Sequence, residues 1–89
     1  MKAFITVIGH DTVGVVARVA GLCTELNINI EDVTQSILQG MFAMIMLVDL
    51  ADCTLPFDQL SQLLKDKGME RGLDIHVQRQ DIFEAMHRI

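Results

Sequence analysis

Apolar residues form four strand-like stretches in this chain, and twice between them they recur at helical spacing. Ala3 to Gly9 is apolar and β-branched, relieved only by Thr6 with Lys2 in front, which predicts a central strand. Val15, Val19, Leu22 and Leu26 step by four, three and four, so they share one stripe of a helix over Val15 to Leu26. Val16, Ala20 and Cys23 widen that stripe. Ile28 to Leu38 reads as a more polar strand, carrying Glu31, Asp32, Thr34, Gln35 and Ser36, and belongs at a sheet edge. Gln39-Gly40 signals a tight hairpin, because glycine takes positive φ without steric cost. Met41 to Leu50 is apolar on both faces, with Phe42, Met44, Met46 and Val48 on one and Ala43, Ile45 and Leu47 on the other.

Ala51 to Thr54 reads as a loop, and Pro56 suits the first turn of a second helix, where its missing N–H is not needed. Phe57, Leu60 and Leu64 share a face, with Leu63 beside them, and Gly68 or Gly72 ends the helix. Leu73, Ile75 and Val77 alternate with Asp74, His76 and Gln78, predicting a fourth strand with one wet face. Asp81 followed by Glu84 forms a capping-box pattern, and Ile82, Phe83, Met86 and Ile89 make an apolar stripe. The chain therefore divides into a domain over 1–80 and a helical tail over 81–89, the tail packing on its own or a neighbouring domain. Gly21 sits inside the first helix at a cost of about 1 kcal/mol against alanine, which predicts close packing there. The order β-α-β-β-α-β with right-handed crossovers gives an α+β, ferredoxin-like sandwich. Its four-stranded antiparallel sheet carries both helices on one face, and strands one and three are central because they are apolar on both sides.

Composition narrows the class. The 89 residues suit one domain, and a hydrophobic fraction of 51% excludes a disordered chain. Aromatics make up only 4%, so the core is aliphatic, with six Met residues as adaptable filler. Net charge is -5 and the Lys and Arg residues do not cluster, so nucleic acid is not an expected partner. No apolar run approaches the ~20 residues that span a bilayer, so no membrane association is expected. Lys2 leads directly into strand alternation, so no secretory leader is expected. Cys23 and Cys53 stand alone, which suits a reducing cytoplasm.

The chemistry points to binding rather than catalysis. His10, Asp11, Thr12, Val13 and Gly14 form a short loop between the first strand and the first helix. Gly14 allows close backbone approach, and a helix N-terminus offers free N–H groups and a positive dipole end. Such a place suits a small carboxylate or phosphate. The same residues also serve local structure: Gly14 permits the turn, and Asp11 or Thr12 can cap the helix. Asp11 would repel a carboxylate and is better placed to take an amino group. Asn29 opens the second strand, and its amide both donates and accepts. His10, His76 and His87 are far apart in sequence, so neither a metal site nor a cofactor is expected. No nucleophile or acid–base pair is legible, so an enzyme is not expected. The far face of strands one and three is too apolar to be left to water, which favours a homo-oligomer, a dimer first.

The run Gly9-His10-Asp11-Thr12-Val13-Gly14-Val15-Val16-Ala17, followed by Leu26-Asn27-Ile28-Asn29-Ile30, resembles the ACT domain. Gln35-Ser36 and Ile82-Phe83-Glu84-Ala85-Met86 are similar to the stand-alone UPF0237 group, with the tandem glycine-cleavage repressor a more distant likeness. The resemblance covers essentially the whole chain and implies an ACT domain over 1–80. It also implies a non-catalytic regulatory module that binds a small amino acid where two domains pair. His10, Asp11, Thr12, Val13, Gly14 and Val15 would come from one chain, and Asn29 and Ile30 from the other. Two departures from the family pattern stand out: Thr12-Val13-Gly14 replaces Arg-Pro-Gly, and Gly9 stands where some serine-binding members carry His. The alternative is an interaction module that holds a protein partner on the apolar sheet face and the tail. A small enzyme on the same fold is a third reading.

Overall fold

The computed structural model describes residues 1–10 and 14–82, with Leu38 by its backbone alone. Its elements are β1 (Lys2–His10), α1 (Val15–Glu25), β2 (Asn29–Leu38), β3 (Met41–Asp49), α2 (Phe57–Met69) and β4 (Asp74–Arg79). The four strands form one antiparallel sheet in the order β2-β3-β1-β4. The doubly apolar strands are central and the polar β2 lies at an edge, as the patterning predicts.

One face of the sheet carries the core. Register sets Ala3 beside Val48, Ile5 beside Met46 and Val7 beside Met44, and all six are buried. Val15, Val19 and Cys23 of α1 and Leu60 and Leu64 of α2 join the same cluster, so both helices cover this face. Each fully buried side chain of this size contributes roughly 1.5–3 kcal/mol. Among the described residues no helix covers the opposite face. Phe4, Thr6, Ala43 and Leu47 are half-buried there, and Ile8, Met41 and Ile45 are exposed.

The two helices end in the same way. After α1, Asn27 takes φ 57, its N–H donates to the Thr24 carbonyl, and the Ile28 N–H donates to Cys23. After α2, Gly72 takes φ 72, its N–H donates to Met69, and the Leu73 N–H donates to Gly68. Both are Schellman motifs, and each delivers a buried residue, Ile28 or Leu73, ahead of an edge strand. Of the two glycines proposed to end α2, Gly72 supplies the left-handed residue. The turn between β2 and β3 has positive φ at both Gln39 (53°) and Gly40 (79°), a primed hairpin turn.

Several sequence expectations shift. Leu26 is the C-cap of α1 rather than its last helical residue. Ile28, Leu50 and Leu73 lie just outside the strands they were expected to start or end. Pro56 is the N-cap of α2, with extended ψ of 155°, rather than its first helical residue. Gly21 is corrected outright: it is exposed, and an added Cβ would meet nothing within 4 Å. The tightly packed helical glycine is Gly68, buried against Ile75 and Leu73. Glu31 is an extra residue in β2, where the register shifts between Ile30 and Asp32. Residues 80–82 turn helical after β4 and Ile82 is exposed. The rest of the expected tail, with Phe83, Met86 and Ile89, lies outside the described residues.

Candidate ligand site

Gly14 is the N-cap of α1 with φ 85°, and among the described residues no side chain caps the helix there. The first helical bond runs from the Arg18 N–H to the Gly14 carbonyl at 3.0 Å. The N–H groups of Val15, Val16 and Ala17 therefore have no helical acceptor and stand at the positive end of the helix dipole. Val15 is buried in the core, so only its backbone can face a ligand. Asp11, Thr12 and Val13, and with them the expected side-chain cap, lie outside the described residues.

His10 ends β1 opposite Met41 and is exposed. It borders a hollow of about 470 Å³ with Ile8, Met41, Met69, Leu73 and Asp74. Beside it, Asp74 accepts from His76 Nε2 at 2.8 Å, with both side chains mostly exposed.

Asn29 and Ile30 are elsewhere. Asn29 pairs with Asp49, and Asp49 pairs with Lys2 at the opposite end of β1. Eight residues of strand separate that end from His10, roughly 26 Å. Asn29 borders a hollow of about 750 Å³ with Thr24, Asn27, Ile28 and Asp52. Ile30 is half-buried and packs against the core. Within one chain the structure does not bring His10 and the start of β2 together. By register Asn29, Asp49, Lys2 and His10 fall on the side of the sheet opposite α1 and α2, whereas Val15 and Ile30 face the core.

A further hollow of about 380 Å³ lies between the helices, bordered by Arg18, Gly21, Leu22, Lys67, Arg71 and Ile75. None of the sequence-predicted site residues lines it. Its residues come from α1, α2 and β4, so no local motif could have announced it.

Lys2 is held above its ordinary range by its hydrogen bond and charge pairing with Glu31, at 2.8 Å. Burial, with a smaller contribution from nearby Cys53, pushes the Cys23 thiol up to about 11. Neither group borders His10 or Gly14. Among the described residues no group of three His, Cys, Asp or Glu side chains could hold a metal ion. None of their helices is long and apolar enough to cross a membrane.

Comparison with known proteins fits this architecture. The ACT domain family model matches residues 2–78. A UPF0237 protein of Listeria innocua is 48% identical over 89 residues, covering 100% of both chains. A UPF0237 protein of Methanopyrus kandleri is 43% identical over 88 residues, covering 99% of this chain and 98% of its own. Among solved structures, the ACT domain protein from Streptococcus pneumoniae superposes with a TM-score of 0.84 at 38% identity, covering 94% of each chain. Sequence, sheet order and near-complete coverage thus agree that this chain belongs to the ACT domain family, within its UPF0237 group.

Proposed function

We propose that this chain is a non-catalytic regulatory module that binds a small amino acid between two copies of itself. The carrying observation is the separation of about 26 Å between His10 and Asn29 along the sheet. A single small ligand can touch both only if they come from different chains. In this reading the N–H groups at the start of α1 take the ligand carboxylate, Asp11 takes its amino group, and the partner copy's Asn29 and Ile30 close the site. His10, Thr12, Val13, Gly14 and Val15 supply the remaining wall and its backbone. The two unpaired thiols, Cys23 and Cys53, suit a reducing cytoplasm.

A thermal-shift screen against the twenty amino acids tests the proposal. A ligand present at a hundred times its Kd stabilises by about 2.7 kcal/mol. Asn29→Ala should abolish the shift and leave the unliganded stability within about 0.5 kcal/mol, because Asn29 is exposed. Gly14→Val should also abolish it, since a β-branched residue is poorly tolerated at positive φ. Unchanged affinity in Asn29→Ala overturns the site. If no amino acid shifts the melt, the exposed Ile8, Met41 and Ile45 favour the alternative, an interaction module for a protein partner.

A further inference from the structure

We propose that the hollow between α1 and α2 is a second binding site, for a small apolar carboxylate: one negative oxyanion group on a hydrocarbon body. It needs only one copy of the chain, and none of the side chains assigned to the amino-acid site lines it.

The hollow exists because the two helices stand apart. Helices in contact have axes 8–10 Å apart, which brings some of their Cα atoms well within 8 Å of each other. No Cα of α1 comes that close to one of α2. The space left between them, about 380 Å³, is of the size that takes a small molecule. Gly21 keeps it open. On α1 it sits between Ala17 and Arg18 on one side and Glu25 on the other, so a side chain there would point over the hollow. Glycine costs a helix stability against alanine, and no neighbour requires it here, since an added Cβ meets nothing within 4 Å.

The direction of the chain gathers the cations at one end. α1 begins beyond His10 at the end of β1, and Asp74, which opens β4, pairs with Ile8 near that same end. Arg18, at the start of α1, and Lys67 and Arg71, at the close of α2, therefore stand over the same end of the sheet. Glu25 lies seven residues beyond Arg18, roughly 10 Å further along α1. Lys67 and Glu70 hold each other at 3.9 Å. Among the described residues Arg18 and Arg71 have no ion-pair partner. A guanidinium is a planar fork of N–H donors that matches a carboxylate. The half-buried Leu22 and the buried Leu73 and Ile75 line the hollow beside them and suit a hydrocarbon body.

Charge selects the ligand class. The lining holds three cations, Arg18, Lys67 and Arg71, against Glu25 and Glu70, an excess of one in a chain whose net charge is -5. A monoanion neutralises that excess. A phosphate monoester overshoots it, and a zwitterionic amino acid leaves it standing.

Proton–nitrogen NMR spectra of the isotope-labelled full chain, titrated with straight-chain carboxylates from butyrate to octanoate, test the site. The amide signals of Gly21, Leu22, Arg71 and Leu73 should move together and saturate. Kd should fall about fourfold with each added CH₂ until the hollow is filled. Hexanol, the uncharged counterpart of hexanoate, should bind about tenfold more weakly, as should hexanoate to Arg18→Gln or Arg71→Gln. Arg79→Gln, whose arginine pairs with Asp81 away from the hollow, should bind hexanoate as the wild type does. Gly21→Leu should abolish binding without lowering Tm, because leucine is the better helix former. Signals that none of the carboxylates moves, hexanol binding as tightly as hexanoate, or a Gly21→Leu variant that still binds would each overturn the site. Inorganic phosphate moving these signals where hexanoate does not would overturn the ligand class. Asn29→Ala should leave hexanoate binding unchanged, so this site and the amino-acid site stand or fall separately.

Discussion

Adding one methyl group at Gly68 and one at Gly21 should move stability in opposite directions. Both glycines are helical, so the intrinsic gain from Gly→Ala is at most about 1 kcal/mol in each case, and less in the last turn of α2. The surroundings differ. A Cβ at Gly68 would sit 2.8 Å from Ile75 Cγ1, 3.0 Å from its Cδ1 and 3.0 Å from the Leu73 carbonyl. Ile75 is 3% exposed and cannot swing outward, and the Leu73 carbonyl is backbone at the end of a Schellman turn. Overpacking of this kind costs about 1–3 kcal/mol, leaving Gly68→Ala about 0.5–2.5 kcal/mol less stable after a partial helical gain is subtracted. A Cβ at Gly21 meets nothing, so Gly21→Ala should stabilise by about 0.5–1 kcal/mol. For a domain this size 1 kcal/mol moves Tm by about 4–8 °C, so the two variants should melt well apart. The melts are followed by circular dichroism at one protein concentration, because assembly makes Tm concentration-dependent. If Gly68→Ala melts at or above Gly21→Ala, α2 has room to move off β4 and the packing argument fails.

Three other changes follow from local geometry. Lys2 has a pKa held above the ordinary 10.5 by Glu31, so the pair contributes fully below pH 10.5 and fades as pH rises through the folded-state value. Lys2→Met should lower Tm at pH 7, and the difference from wild type should close in strongly alkaline buffer; a constant difference contradicts the pairing. Cys23 is buried with its thiol at about 11, whereas Cys53 is half-buried, so a thiol reagent at pH 8 should find one fast group in the native protein and two after unfolding. Two fast groups would show that α1 opens readily. Gly14→Ala should cost about 1–2 kcal/mol from its φ of 85° alone, since a Cβ there meets nothing; denaturant unfolding with no loss would place the helix start elsewhere.

The element order, the two central strands, the polar edge strand and the hairpin were legible because each rests on local periodicity. Alternation of Ala3, Ile5 and Val7, or of Phe42, Met44, Met46 and Val48, marks a strand whatever lies opposite it. Family membership was legible for a similar reason, since its pattern is a contiguous loop-helix-strand run. Other features needed the tertiary structure. Asn27 carries no strong stop signal, and its left-handed turn is recognisable only with its hydrogen bonds to α1. The bulge at Glu31 appears only in register with β3. Which helical glycine is crowded depends on Ile75, a neighbour supplied by another element. The site shows the limit best. His10 to Val15 and Asn29 look adjacent in the sequence, but the 11 residues of α1 rise about 16 Å and carry the chain back along the sheet. That return sets His10 and Asn29 at opposite ends of one face of the sheet. The residue types thus raise the expectation of a binding site, while the path of the backbone decides that His10 and Asn29 of one chain stand a strand's length apart.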